Sequence, residues 1–358
     1  MAPTASIPII DISAEGVDQT QVAKELVDAA VEYGFVYIKN AGRDISPEQI
    51  ENAFNVSRIL FDSPLEDKQK CKIEKNNQGW SGMHTETLDP KTQRVGDFKE
   101  GFNFGPFANG KATQPIPPSI EPHQAQLATF REACHELCRK LLLLFGIGLG
   151  VNPPDFFTSA HSPTAPSGSI LRFLYYPPPN STPTALPDDV RAGAHSDYGS
   201  VTLLFRLRGQ AGLEILEPRT GSWAPVPVSP PGTEDDQQPP ILVNIGDLLS
   251  YWTNGLLRST VHRVAFSNEA APGESSTEPR YSVVYFCHPA DTTPLAPVPS
   301  ERVKAFEGRE DDRSSSAKGK GYSNPYIEPK VLTAQEHLKM RLRETYLQLY
   351  GEDGEKRE

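Results

Sequence analysis

The sequence predicts a mainly β protein, a barrel or sandwich core of the jelly-roll kind with flanking helices. Three observations carry that expectation. Between residues 170 and 289, short strand-like runs follow one another: "ILRFLYYP" (170–177), "VTLLFRL" (201–207), "LEILEP" (213–218), "WAPVPV" (223–228), "ILVNIGDLLSYWTNG" (241–255), "TVHRVAF" (260–266) and "RYSVVYFCHP" (280–289), separated by Gly, Pro and polar turns. The 34 prolines of the 358-residue chain sit in short clusters between apolar runs, where they favour strands and turns over a helical bundle. Helical periodicity belongs to the first third and the C-terminal end.

Taken in order, "IPIIDIS" (7–13) reads as a short strand. A helix over 18–33 places Val22, Leu26, Ala29, Ala30 and Tyr33 at helical spacing and stops at Gly34. "GFVYIKNAG" (34–42) then reads as a strand ending in turn residues. The stretch 46–61 carries a strong helix start: Ser46 as N-cap, Pro47 in the first turn and Gln49 to complete a capping box. Its buried stripe is Ile50, Ala53, Phe54, Ser57 and Phe61. Residues 71–118 read as irregular, and a helix over 121–146 buries Leu127, Phe130, Cys134, Leu137, Leu141 and Phe145. A last helix starts at Thr333, capped by Glu336, and turns Leu338, Leu342, Tyr346 and Leu349 toward the body. Three polar inserts, 229–240, 267–279 and 307–321, lack the apolar residues to order themselves and are expected to be exposed and mobile. The division that results is an N-terminal α/β region (1–160), a β core (161–300), and a loop with a C-terminal helix (301–358).

Composition narrows the function classes. The chain is 37% hydrophobic with a net charge of −11 and no basic face or tail, which speaks against nucleic acid or an anionic membrane as partner. The longest apolar stretch, "LLLLFGIGLGV" (141–151), is roughly half of what a membrane-spanning helix needs, and "MAPTASIPIIDIS" lacks the features of a secretory signal. Cys71, Cys134, Cys138 and Cys287 show neither a disulfide nor a zinc framework, and Cys134 and Cys138 read as buried thiols. The expectation is a cytoplasmic protein, monomeric or weakly self-associating, that handles a small molecule.

Chemistry concentrates in "RAGAHSDYGSVTLLF" (191–205). If His195 and Asp197 lie on a strand, their side chains leave the same face and can reach one ion. Alone, the pair is equally an Asx turn or a solvated strand end. A third ligand must come from elsewhere, and only His262 and His288 fall within later strand patterns. Two histidines and one carboxylate on one face of a metal leave positions open, the arrangement of non-haem Fe(II) oxygenases. A structural zinc site would close its shell, usually with cysteine.

"GAHSDYGSVTLLF", "WTNGLLRSTVHRV" and "RYSVVYFCHP" together resemble the Fe(II)/2-oxoglutarate-dependent dioxygenase superfamily, and within it the isopenicillin N synthase-like subgroup. The likeness extends along most of the chain through "IPIIDIS", "GFVYIKNAG" and "ILRFLYYPPP". It implies a double-stranded β-helix with iron at one mouth, in which His195, Asp197 and His262 match the Fe(II) ligands. Arg280 and Ser282 match the Arg-x-Ser pair that holds the distal carboxylate of 2-oxoglutarate, a pairing suited to a planar guanidinium. Tyr176 matches a tyrosine that assists it. Asn254 lies in the subgroup's Asn-Gly turn near the metal. Two positions depart from the pattern: Ala41 stands where the N-terminal motif has His, and Leu174 where the strand motif often has Asn.

The resemblance further implies an oxidoreductase that consumes O2 and 2-oxoglutarate, releases succinate and CO2, and hydroxylates, desaturates or cyclises a small organic metabolite, with ascorbate supporting activity. Phe286 and His288 follow Arg280 at even spacing, share its strand face, and are candidates for substrate contact. Phe104 is a third candidate, the alternative being that Phe102 and Phe104 anchor the 71–118 region. Two other functions stay open at this point. One is an iron oxidase of the same fold that does not use 2-oxoglutarate; the other is a non-catalytic jelly roll that binds a small acid.

Overall fold

The computed structural model describes residues 4–13, 16, 18–178, 189–266, 278–306 and 331–345. The strands are β1 (Ile9–Ile10), β2 (Phe35–Ile38), β3 (Gly79–Ser81), β4 (Glu100–Phe104), β5 (Phe107–Ala108), β6 (Lys111–Ala112) and β7 (Ile170–Tyr176) in the first half. They continue with β8 (Val190–His195), β9 (Val201–Arg206), β10 (Leu213–Leu216), β11 (Trp223–Pro225), β12 (Ile241–Ile245), β13 (His262–Ala265) and β14 (Arg280–Cys287). The helices are α1 (Gln19–Glu32), α2 (Pro47–Phe61), α3 (Leu65–Gln69), α4 (Gln124–Gly148), α5 (Phe156–Ala160), α6 (Asp247–Trp252), α7 (Glu301–Lys304) and α8 (Ala334–Thr345).

Two open sheets face each other. The larger runs β1-β2-β12-β9-β14-β7-β4-β3 and the smaller β11-β10-β13-β8. The core is therefore a jelly-roll sandwich rather than a closed barrel. Strand pleat divides the large sheet into two faces. Val283, Tyr285 and Cys287 of β14, Leu203 and Phe205 of β9, and Ile241 and Val243 of β12 pack against the helices in one core. Val284 of β14, Leu242 of β12 and Leu174 and Tyr176 of β7 face inward, toward Ala192, Ile215 and Val264 of the small sheet.

The helices form where the patterns place them. Asp18 caps α1, and Ser46 and Gln49 make the reciprocal capping box of α2. Thr333 and Glu336 do the same for α8, with hydrogen bonds of 2.9 and 3.2 Å. Leu342 is buried there and Leu338 half-buried, while Tyr346 and Leu349 lie outside the described residues. Cys134 and Cys138 are buried on α4. Among the described residues, no helix is long and apolar enough to cross a membrane.

Three expectations are corrected. The run 241–255 is a strand followed by helix α6, because Gly246 breaks the extended run and Asp247 opens a helix. The 71–118 region holds β3 and β4, which extend the large sheet: β4 pairs with β7, and β3 with β4. The insert 229–240 is held in place: Arg208 donates to the carbonyls of Thr233 and Asp236 at 3.2 and 2.6 Å, and Thr233 is buried. Most of the other two inserts, 267–277 and 307–321, lies outside the described residues.

Gly34 shows how tightly the N-terminal elements seat on the core. Its φ is +70°, and an added Cβ would stand 2.3 Å from the Arg258 carbonyl oxygen and 2.5 Å from Thr260 Oγ1. Gly34→Ala is therefore expected to cost about 2 kcal/mol or more and to lower Tm by roughly 3 °C or more in a thermal melt. An unchanged Tm would contradict this close approach.

Candidate active site

His195 ends β8 and His262 begins β13, and the two are direct partners in the antiparallel register. Their ring centroids lie 4.3 Å apart. Asp197, two residues beyond His195, brings its Oδ1 to 3.8 Å from His195 Nε2 and 3.6 Å from His262 Nε2. One ligand atom from each of the three residues falls within 4.8 Å of the others.

The surroundings prepare these atoms for a cation. His195 Nδ1 donates to the Gly193 carbonyl at 2.7 Å, and His262 Nδ1 to the Thr260 carbonyl at 3.1 Å. Because a carbonyl can only accept, both rings carry their proton on Nδ1 and turn the Nε2 lone pairs toward Asp197. Thr202 Oγ1 and Asn244 Nδ2 both donate to Asp197 Oδ2 at 2.7 Å, which leaves Oδ1 for the shared centre. Burial, then repulsion from His262, pushes His195 down to about 3, so its imidazole is neutral at ordinary pH. Burial opposes ionisation of Asp197, but the two imidazoles and the Asn244 and Thr202 hydrogen bonds hold its carboxyl below the usual range. A buried carboxylate between two imidazole Nε2 atoms is a donor set for a divalent cation, and it fits Fe(II) with open positions.

Next to this centre, β14 and β7 pair Arg280 with Tyr176 and Ser282 with Leu174. The Arg280 guanidinium lies over the Tyr176 ring at 4.8 Å from its centroid. Ser282 Oγ is buried with no hydrogen-bond partner among the described residues. A hydroxyl left so is costly unless a ligand supplies the partner, and a carboxylate held by Arg280 would do so. Leu174, where the family pattern often has Asn, is the residue across from Ser282 and offers it nothing.

A cavity of about 100 Å³ opens beside the three-residue centre, small against typical ligand clefts of ~300–1,000 Å³. Tyr176, Phe286 and His288 line it together with His195 and Asp197. Phe104 does not. It is fully buried on the helix side of β4, against Phe102, Phe107 and Phe173. The pleat is the reason: Asn103 is the β4 residue that faces the cavity, across from Arg172 of β7. Asn254 serves its turn, with φ of +57° and a 2.8 Å hydrogen bond from Nδ2 to the Phe306 carbonyl.

Several contributors escape sequence reading. Thr202 and Asn244 signal themselves only as polar residues inside apolar strands, "VTLLF" and "ILVNI". Glu86, Asp97, Lys99 and Arg172 form a buried charge network, with Lys99 Nζ 3.1 Å from Glu86 and in contact with Asp97, and Arg172 paired to Glu86. Asp97 also accepts from the Gly193 backbone at 3.0 Å, tying the network to the strand that carries His195. From the other side, Arg341 of α8 pairs with Asp247 at 2.7 Å, and Ser196 Oγ donates to the same carboxylate at 3.0 Å. Leu338 and Leu342 of that helix reach the cavity wall.

Comparison with known proteins places this site in a family. Residues 7–136 match the N-terminal region described as non-haem dioxygenase in morphine synthesis, and residues 167–289 match the 2OG-Fe(II) oxygenase superfamily. The chain is 39% identical over 302 residues to the UPF0676 protein C1494.01 of Schizosaccharomyces pombe, covering 83% of this chain and 86% of that protein. It is 31% identical to the 2-oxoglutarate-dependent dioxygenase htyE of Aspergillus rugulosus, covering 80% of this chain and 89% of the relative. Among solved structures, a full-length Neurospora crassa protein in complex with alpha-KG and thymine superposes with a TM-score of 0.73 at 25% identity, over 96% of this chain and 98% of that one. Fold and donor set thus define a non-haem Fe(II) oxygenase. The chain belongs to the 2OG-Fe(II) oxygenase superfamily and is a 2-oxoglutarate-dependent dioxygenase.

His288 makes the site's electrostatics measurable. Burial, then repulsion from His337 and His161, pushes it down to about 3. The unfolded chain therefore takes up a proton near pH 6.5 that the folded chain refuses, so stability falls as pH drops from about 6.5 toward 3. His135, pushed up, works in the opposite sense, so the contribution is read by difference. Between pH 6.5 and 5, the metal-free protein should lose about 2 kcal/mol more than its His288→Gln variant in urea titrations. Equal losses would contradict a neutral, buried His288.

Proposed function

We propose that His195, Asp197 and His262 hold Fe(II), that Arg280 and Ser282 hold the distal carboxylate of 2-oxoglutarate, and that the cavity lined by Tyr176, Phe286 and His288 takes a small organic substrate. The observation that supports this most is the pair of Nδ1–carbonyl hydrogen bonds that turn both Nε2 atoms toward Asp197. When bound, Fe(II) and 2-oxoglutarate supply oxidation by O2, with succinate and CO2 released. The residues bind, orient and exclude. Thr202 and Asn244 fix the Asp197 carboxylate, so that metal binding needs no rearrangement of the donor. Arg280 fixes one end of the cosubstrate, with its guanidinium braced on Tyr176. Leu174, Leu338 and Leu342 keep the cavity apolar and limit access of water to the reacting atoms.

In this reading residues 161–300 carry the chemistry, residues 1–160 brace it, and 301–358 supply part of the cavity wall. The Neurospora crassa protein binds thymine and alpha-KG together, which supports a compact organic substrate here. Free, buried cysteines fit a reducing, cytoplasmic setting. The large exposed apolar residues described are few (Ile9, Ile59, Leu65 and Val331), in keeping with a monomer or weak homo-oligomer.

With Fe(II), ascorbate, O2 and a panel of small metabolites, the protein is expected to convert 2-oxoglutarate to succinate above the metal-only background. Absence of succinate across the panel would overturn the assignment. Arg280→Ala is expected to weaken anaerobic 2-oxoglutarate binding on the order of 10- to 100-fold, as read by calorimetry. Unchanged affinity would remove Arg280 from the cosubstrate site.

A further inference from the structure

The charges around the cavity show what kind of molecule it accepts. Among the described lining residues, the lysine, arginine and carboxylate side chains are Lys99, Arg172 and Asp197. Each cation already has its counter-charge behind the wall. Lys99 contacts Asp97 and lies 3.1 Å from Glu86, and Arg172 pairs with Glu86. Two carboxylates therefore face two cations, and the network is neutral. Burial disfavours the Lys99 ammonium, yet Asp97 and Glu86 outweigh it and keep the side chain charged. Arg341, close to the cavity residue Tyr198, is likewise matched by Asp247. The metal end balances as well: Asp197 and the two carboxylates of 2-oxoglutarate are offset by Fe(II) and Arg280. Two other buried arginines nearby are outside the cavity wall: Arg191 donates to the Pro177 carbonyl at 3.2 Å and lies over Phe266, and Arg206 donates to the Val226 and Pro227 carbonyls at 3.0 Å and lies over Tyr37.

A substrate carboxylate entering here would lose its hydration and meet no unmatched cation among the described lining residues, which is costly. One neutral hydrogen-bonding group is in reserve. Asn103 lines the cavity and is 2% exposed, and its Oδ1 has no hydrogen-bond partner among the described residues. The orientation of its amide is fixed, because Nδ2 donates to the Asn77 carbonyl at 2.9 Å, an atom that can only accept. Asn103 Oδ1 is thus an acceptor that calls for an N–H or O–H donor.

We infer that the substrate is uncharged: a compact, mainly apolar molecule carrying an amide, imide or hydroxyl donor, with Asn103 Oδ1 as the acceptor that sets its position. This rests on the cosubstrate reading above, and the test separates the two. The anaerobic Fe(II)·2-oxoglutarate protein is offered a library of compact ring compounds in matched sets, each a carboxylate, its primary amide and its N,N-dimethylamide, with binding read by affinity-selection mass spectrometry. Primary amides are expected to bind at least 10-fold more tightly than their carboxylates and their dimethylamides. Glu86→Gln, which leaves one cation unmatched, is expected to raise carboxylate binding about 10-fold, and Asn103→Leu to abolish the preference for N–H. The wild-type comparison stands even if a variant fails to fold. Carboxylates selected as well as amides, dimethylamides selected equally, or no amide selected would each overturn the inference. 2-Oxoglutarate binding is measured in the same samples: its loss defeats the cosubstrate reading, whereas its presence without the amide preference defeats only this inference.

Discussion

One rung of the small sheet, the pairing of His262 with His195, is the constraint on which the site depends. It sets two imidazoles side by side at a strand end and leaves Asp197, just past that end, to close the third side. Each ring is locked by a hydrogen bond from Nδ1 to a carbonyl two residues before it, Gly193 for one and Thr260 for the other. The same local turn of backbone thus fixes both tautomers. A buried carboxylate beside two imidazole Nε2 atoms is a donor set that a divalent cation completes.

The large sheet does the complementary work through its pleat. On β14 alternate residues divide the labour: Val283, Tyr285 and Cys287 build the helix-side core, while Arg280, Ser282 and Phe286, with His288 just beyond the strand, lie on the face of the site. On β9 and β12 the inward positions Thr202 and Asn244 reach across to Asp197. Stability and chemistry are interleaved residue by residue along the same strands. Both flanks then seat the ligand strand, the Asp97 network through Gly193 and helix α8 through Asp247 and Ser196.

What can be read from the sequence follows from range. Short-range devices are legible: the Ser46–Gln49 capping box, the His195–Asp197 spacing, and the common face of Arg280, Ser282, Phe286 and His288. Properties that depend on pairing between distant segments are not. Phe104 reads as a candidate cavity residue because an aromatic near the site fits either role, and only the register of β4 on β7 decides that Asn103 takes that place. Glu86, Lys99 and Arg172 are spread across three segments and show no pattern until the chain folds. The 229–240 insert has the composition of a mobile loop, yet Arg208, outside it, holds it down. Helix α6 is hidden in an apolar run because buried strand and buried helix look alike over a few residues.

The most direct test of the account is an anaerobic Fe(II) titration of the wild-type protein and of Asp197→Ala and His262→Ala, with circular dichroism to confirm that each is folded. The account predicts one Fe(II) bound per wild-type chain and loss of that site in both variants. Stoichiometric binding at wild-type affinity in either folded variant would contradict it.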